Sequence, residues 1–192
     1  MKRFRLLTMI LIVVYFAFSA CDDGDGSTPV TYAIGEPGPS GVGIVFYVTD
    51  GGLHGLEVAP ADQSTGTVWS NIDSILIGTT GIAIGTGYSN TDAIIGQSGH
   101  SVSAAQICRK YREDEEGDWF LPSQDELNAI WDNLVDDGTG SNSGTGGFAL
   151  AIYWTSSEYD LSSAYFQRFD NGIPAFNDKD IPDYKVRAVR AF

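Results

Sequence analysis

Cysteine, histidine and positive charge are all scarce in this chain. It has two cysteines, two histidines, and 11 lysines and arginines against 25 acidic residues. So few cysteines cannot make the disulfide framework of a small secreted scaffold. His54 and His100 sit in no recognisable catalytic or metal-binding pattern. Gly-x-Ser-x-Gly, His-Glu-x-x-His, Walker and Cys-x-x-Cys motifs are missing as well, so no enzyme is expected. The formal net charge of −14 disfavours nucleic acid, anionic lipid and sulfated polysaccharide as partners. Lys185, Arg187 and Arg190 come closest to a basic patch, and their alternation suits pairing with acidic neighbours inside the fold.

What the chain does have is a core. Hydrophobic residues make up 43% and charged residues 19%, a balance that favours folding over disorder. The longest apolar run lies at the start. Lys2, Arg3 and Arg5 precede about 13 mostly apolar residues from Leu6 to Phe18, too few for the roughly 20 of a membrane-spanning helix. Phe18-Ser19-Ala20-Cys21 then resembles a bacterial lipobox, although leucine is usual where Phe18 stands. We read residues 1–20 as a lipoprotein signal peptide and Cys21 as the lipidated N-terminus. The alternative is an ordinary secretory signal cleaved near Ala20. Residues 21–33 are acidic and Gly-rich at their start, the composition of a solvated tether. Lipidation of Cys21 leaves Cys108 without a disulfide partner. Its spacing with Ala104, Ile107 and Tyr111 marks it as a buried small hydrophobe.

The best-marked local element is Asp118 to Leu134. Asp118–Leu121 reads as a short strand, Pro122 keeps Leu121 extended, and Ser123 with Glu126 forms a capping box. Leu127, Ile130, Trp131 and Leu134 then fall on one apolar stripe that should be buried, with Gly138 as a stop. Gly35, Gly38 and Gly41 recur every third residue, but three triplets cannot hold a collagen helix, so a Pro/Gly loop is expected. Ile44–Thr49, apolar on both faces and hence central, pairs through the Asp50-Gly51-Gly52 turn with Leu56–Ala59. Val68-Trp69 reads as a short strand. Ile75-Leu76-Ile77-Gly78-Thr79 is echoed by Ile82-Ala83-Ile84-Gly85-Thr86, and two copies do not make a repeat architecture. Asn90 or Thr91 could cap a helix carrying Ile94 and Ile95, and another runs from about Val102 to Tyr111. A charged turn follows at residues 112–117.

Later strands are expected at Tyr153–Ser156, at Ala164–Phe169 before the Asp170-Asn171-Gly172 turn, and at Val186–Phe192. The fold class that follows is α+β, short antiparallel strands around two main helices. The Asp136–Asn142 loop is rich in oxygen ligands but lacks the spaced acids of an EF-hand. No cofactor is therefore expected, with Ca²⁺ in that loop as the alternative.

Several motifs in order carry a family resemblance: Gly43-Ile44-Val45-Phe46-Tyr47-Val48, His54-Gly55-Leu56, Ala83-Ile84-Gly85-Thr86-Gly87, Asp118-Trp119-Phe120-Leu121-Pro122-Ser123 with Glu126-Leu127, Tyr153-Trp154-Thr155-Ser156-Ser157-Glu158 and Val186-Arg187-Ala188-Val189-Arg190. Over residues 34–192 the chain resembles the C-terminal domain of the bacterial collagen-like adhesin Lcl and its lipoprotein relatives. That resemblance implies a C-type-lectin-like domain, related to the formylglycine-generating enzyme, on a lipoprotein of the cell envelope, outer membrane or cell surface. It further implies adhesion or recognition, with a glycan or a host or envelope protein as partner. Two family themes do not carry over: the acidic balance disfavours sulfated glycans, and the enzyme's cysteine chemistry cannot rest on Cys108 alone.

In the resembling fold, loops corresponding to Asp136–Gly147, Ser157–Ser163 and Asn171–Asp183 form one exposed face. Ligand contacts are expected there, with Tyr159 as a rigid anchor and Asp160, Asn177 and Asp178 as polar contacts. The same loops could instead be soluble connections, and the domain a structural or assembly protein of the envelope.

Overall fold

The computed structural model describes residues 28–112, 117–136 and 144–192. The described residues form a mixed α+β structure with two sheets and three short α-helices. The strands are β1 (Ile44–Thr49), β2 (His54–Val58), β3 (Ser64–Thr67), β4 (Ile152–Glu158), β5 (Ser163–Arg168), β6 (Pro174–Asp178), β7 (Tyr184–Val186) and β8 (Val189–Ala191). The helices are α1 (Gly87–Ile95), α2 (Ala104–Arg109) and α3 (Gln124–Ile130). No helix among the described residues is long and apolar enough to cross a membrane.

The smaller sheet has the order β1-β2-β8 and the larger β3-β7-β4-β5-β6. The expected β1–β2 hairpin is present, but β1 is an edge strand, not a central one. Its outer side is covered by the Gly-rich segment before it: Gly35 donates to the Val45 carbonyl and the Val45 amide to the Glu36 carbonyl. The folded-back loop thus takes the place of a third strand at that edge. The expected terminal strand is two strands. β7 belongs to the large sheet and β8 to the small one, and the chain changes sheets at the buried pair Arg187-Ala188. The expected strand at Asp118–Leu121 reduces to a bridge in which Phe120 and Val189 exchange two backbone hydrogen bonds. Strand β3 ends just before Val68-Trp69, which lies outside it.

Successive side chains of β4 point to opposite faces, and this divides the core in two. Trp154 packs with Trp69, Ile94, Cys108, Trp119 and Leu121, while Tyr153 packs with Phe46, Phe120, Leu127, Ile130 and Phe169. The two buried indoles beside β4 are both satisfied, Trp69 Nε1 donating to the Thr155 carbonyl (2.7 Å) and Trp154 Nε1 to that of Thr67 (2.8 Å). The late basic residues pair inward as the sequence suggests. Asp62 takes Lys185 and Arg187, and Arg190 meets Glu57 and Asp118.

Helix α3 starts at the expected capping box, with both reciprocal bonds formed. Its end differs from the expected stripe. Residues Trp131–Val135 form a π turn, in which the Asp136 amide reaches back five residues to the Trp131 carbonyl. That wider turn rotates the residues after Trp131 and brings Val135 into the core beside Leu134, while Trp131, whose amide still bonds to Leu127, is only half-buried with its ring against Phe169. Gly138 lies outside the described residues. Helix α1 begins at Gly87, before the expected caps; Asn90 and Thr91 lie inside it, buried, with side chains spent on tertiary bonds. Helix α2 is close to expectation, capped by Ser103.

Candidate ligand-binding face

Two of the three expected ligand loops, Ser157–Ser163 and Asn171–Asp183, meet at the far edge of the large sheet, and they differ from one another. Ser157–Ser163 is strand at both ends, because Ser157 and Glu158 close β4 and Ser163 opens β5. What remains is a tight turn built on Asp160, whose carboxylate accepts from the Ser162 amide (2.9 Å), the Ser163 amide (2.8 Å) and the Ser162 hydroxyl. Those bonds hold the carboxyl below its ordinary value. Asn171–Asp183 is a correction to the loop reading, because it contains the edge strand β6. Most of Asp136–Gly147, including residues 137–143, lies outside the described residues.

Strand β6 gives this face its main feature. Tyr165 and Phe176 stand directly opposite each other in the β5–β6 ladder. The Tyr159 ring stacks on Phe176 with centroids 3.7 Å apart and planes 9° from parallel, and its edge meets Tyr165 at 5.3 Å. Tyr159 is 46% exposed and Phe176 49%. Two stacked rings held in solvent, with a third bracing them, make a rigid apolar slab. Asp178 lies two residues along on the same side of β6. With Asp73, Ser162 and Asp180 it lines a polar hollow of about 340 Å³. Tyr159, Asp160 and Asp178 therefore share one region. Asn177 points to the other side of the strand, where its amide donates to the Tyr184 hydroxyl (2.8 Å). Its side chain is engaged in the fold and is the one expected contact that the others do not join.

Sequence reasoning missed Phe176. The sequence Pro174-Ala175-Phe176-Asn177-Asp178 shows no apolar/polar alternation and lies between turn-forming residues, so it carries no strand signal. It also missed Lys179, whose side chain is fully buried beneath this edge. Its ammonium donates to Glu158 (2.7 Å) and to the Leu161 and Ile75 carbonyls, and lies over the Trp69 ring at 5.1 Å. The Glu158 carboxylate also accepts from the amides of Ile77 and Gly78. The pair locks the base of the Tyr159 turn to residues 71–86.

No family model matches the chain, and no curated protein matches it significantly. Cys108 is buried in the first core cluster, and desolvation pushes its thiol pKa up, away from thiolate chemistry. The His100 ring is bonded to the Ser103 hydroxyl (2.8 Å) at the start of α2, and burial lowers its pKa. Among the described residues no group of three or more histidine, cysteine or carboxylate side chains could hold a metal ion. The candidate Ca²⁺ loop at Asp136–Asn142 lies, apart from Asp136, outside the described residues.

Proposed function

We propose that the protein is an exported lipoprotein of the cell envelope, anchored through Cys21, whose lectin-like domain recognises a neutral glycan on the β5–β6 edge. The exposed Tyr159–Phe176 stack carries this reading. Aromatic faces receive the C–H faces of sugar rings, and the stack is rigid before binding, so little side-chain freedom is lost. Asp178 and its acidic neighbours supply acceptors for hydroxyl groups and disfavour sulfated sugars. The motif resemblance to the adhesin domain supports the same reading, as does the mixed α+β architecture. A protein partner is the second reading, favoured by the position of β6 at the end of its sheet, where an incoming strand could pair.

The test is a glycan and protein array probed with the chain from residue 21 onward, with and without Ca²⁺. Once a ligand is in hand, the combined Tyr159→Ala, Asp160→Ala variant should fold normally and bind at least tenfold more weakly, about 1.4 kcal/mol. Undiminished binding by that folded variant, with loss on substituting the exposed His54 instead, would move the site to the β1–β2 turn. Anchoring is separately testable. Cys21→Ala should abolish lipid labelling and release or misprocess the protein; unchanged labelling and membrane retention would refute the anchor.

A further inference from the structure

A second cavity lies away from the aromatic stack. Residues 71–86 run without regular secondary structure, and their Ile72, Ile75, Leu76 and Ile77 face Ala93 and Gln97 at the end of α1 across a hollow of about 410 Å³. Ile75 and Leu76 are 57% and 58% exposed, large apolar side chains left at its mouth. The wall is not loose, because the amides of Ile77 and Gly78 are bonded to the buried Glu158 carboxylate, itself paired with Lys179. The hollow is thus preformed, and its size and apolar lining are those of a small-ligand pocket.

One polar side chain in this lining is unexplained by the fold. Gln97 Nε2 and Oε1 are both screened from solvent, and neither has a hydrogen-bond partner among the described residues. A buried amide with donor and acceptor both unpaired is unfavourable, and such groups are rare unless they serve a purpose. By contrast, the other orphaned side-chain amide atom, Gln167 Oε1, belongs to a group whose nitrogen does have partners, at Asn128 and Gly172. Both atoms are screened from the open hollow in this conformation, so the Gln97 carboxamide reaches a ligand there through a change of side-chain rotamer.

We infer that this hollow is a binding site for a branched aliphatic group carrying an adjacent amide, the chemistry a peptide presents at leucine, isoleucine or valine. The aliphatic branch fills the space between Ile72, Ile75, Leu76 and Ala93. The amide of the ligand supplies the acceptor for Gln97 Nε2 and the donor for Gln97 Oε1. No side chain lining the hollow is charged, so a neutral ligand fits without an unpaired buried charge. The site is independent of the glycan reading, since it uses neither Tyr159 nor Phe176.

The probe is N-acetyl-leucinamide, titrated into the ¹⁵N-labelled chain from residue 21 onward, with the side-chain amide signal of Gln97 followed by NMR. A second arm uses the peptide N-acetyl-Gly-Leu-Gly-amide, to separate a free small amide from a peptide segment as the source. We expect saturable shifts of the Gln97 amide with a Kd on the order of 1 mM for the small probe. We also expect tighter binding of the peptide if a segment is the natural occupant. Gln97→Leu should lose at least tenfold in affinity while raising the unfolding midpoint by about 2–4 °C, because an unpaired buried polar group is removed. A structural glutamine would do the reverse and lower that midpoint. No saturable shift at several times the expected Kd overturns the proposal. So does equal binding by Gln97→Leu, which would mean apolar contact alone. Failure here leaves the glycan array result untouched, so the two readings fall separately.

Discussion

Ile75–Thr79 and Ile82–Thr86 are near-copies in sequence, and neither is a strand. Each carries a glycine in the left-handed region, Gly78 at φ 71° and Gly85 at φ 89°. Each of these glycines donates its amide to a buried glutamate: Gly78 to Glu158 (2.9 Å) and Gly85 to Glu126 (2.8 Å). The two glutamates are satisfied differently. Glu158 has a cation, Lys179, at 2.7 Å. Glu126 has backbone donors at Ser123, Gly85 and Gly87 and sits in the first turn of α3, where the helix dipole favours negative charge. An irregular segment is thus held at two points by carboxylates, one neutralised by an ion pair and one by backbone dipoles alone. The comparison bears on function because the first tie joins the base of the Tyr159 turn to the Ile77 wall of the Gln97 hollow, whereas the second fixes the starts of α1 and α3.

The ion-paired tie should be the more expensive to break from one side. Lys179→Met leaves Glu158 buried with amide donors only, and breaking a buried pair from one side costs about 3–5 kcal/mol. The double variant Lys179→Met, Glu158→Gln should recover part of that loss, because the uncompensated charge is gone. Urea unfolding of the single and double variants measures both. A cost below about 1 kcal/mol for Lys179→Met would mean that water reaches the pair and that the contrast with Glu126 is false.

The second tie should cost less and depend on pH in a defined sense. Glu126→Ala removes half of the capping box and leaves the loop amides of Gly85 and Gly87 without their acceptor, together about 2–3 kcal/mol. Desolvation by burial raises the carboxyl above its ordinary 4.5, and the backbone donors only partly offset it. A carboxyl that protonates more readily folded than unfolded adds stability that is fully present below the unfolded pKa and is lost as pH rises through the higher folded one. The gap between wild type and Glu126→Ala should therefore be widest at about pH 4 and narrower at about pH 8. A gap that widens with pH would mean that the ionised carboxylate, not the protonated one, is favoured by the fold.

Much of this architecture is legible in the sequence, and what is not has physical causes. The capping box of α3 can be read because its signal is local: Ser123 and Glu126 bond to each other's backbone amides whatever surrounds them. The β1–β2 hairpin can be read for the same reason, since Asp50-Gly51-Gly52 carries its own turn geometry. Val135 cannot be placed this way, because the spacing assumes 3.6 residues per turn and the chain widens to a π turn over Trp131–Val135. Asn90 and Thr91 look like caps by type, yet they bond across the fold, to Gly81 and Ser156 and to Leu121. Of the candidate site, Tyr159 and Asp160 are visible as turn residues, whereas Phe176 becomes a partner only once β6 is seen to pair with β5. The echo around Gly78 and Gly85 is visible too, but its meaning lies in Glu158 and Glu126, 80 and 41 residues away. No local rule reaches that far.

The smallest expected effect separates the two halves of the Glu126 tie. Ser123 uses its hydroxyl to accept from the Glu126 amide (3.3 Å) and to donate to the Ala83 carbonyl (2.9 Å), and uses its amide to donate to the Glu126 carboxylate (2.7 Å). Ser123→Ala removes the first two bonds and keeps the third, since that donor is backbone. The Glu126 carboxylate also keeps its bonds from Gly85 and Gly87, so the loop stays attached. The loss should be that of an N-cap alone, about 1 kcal/mol by chemical denaturation. The pH dependence assigned to Glu126 should survive, because burial, its dominant cause, is untouched. If instead Ser123→Ala costs as much as Glu126→Ala and flattens the pH profile, then the hydroxyl bond to Ala83 is what holds the second copy in place. The carboxylate would then be a passenger there, unlike Glu158 at the first.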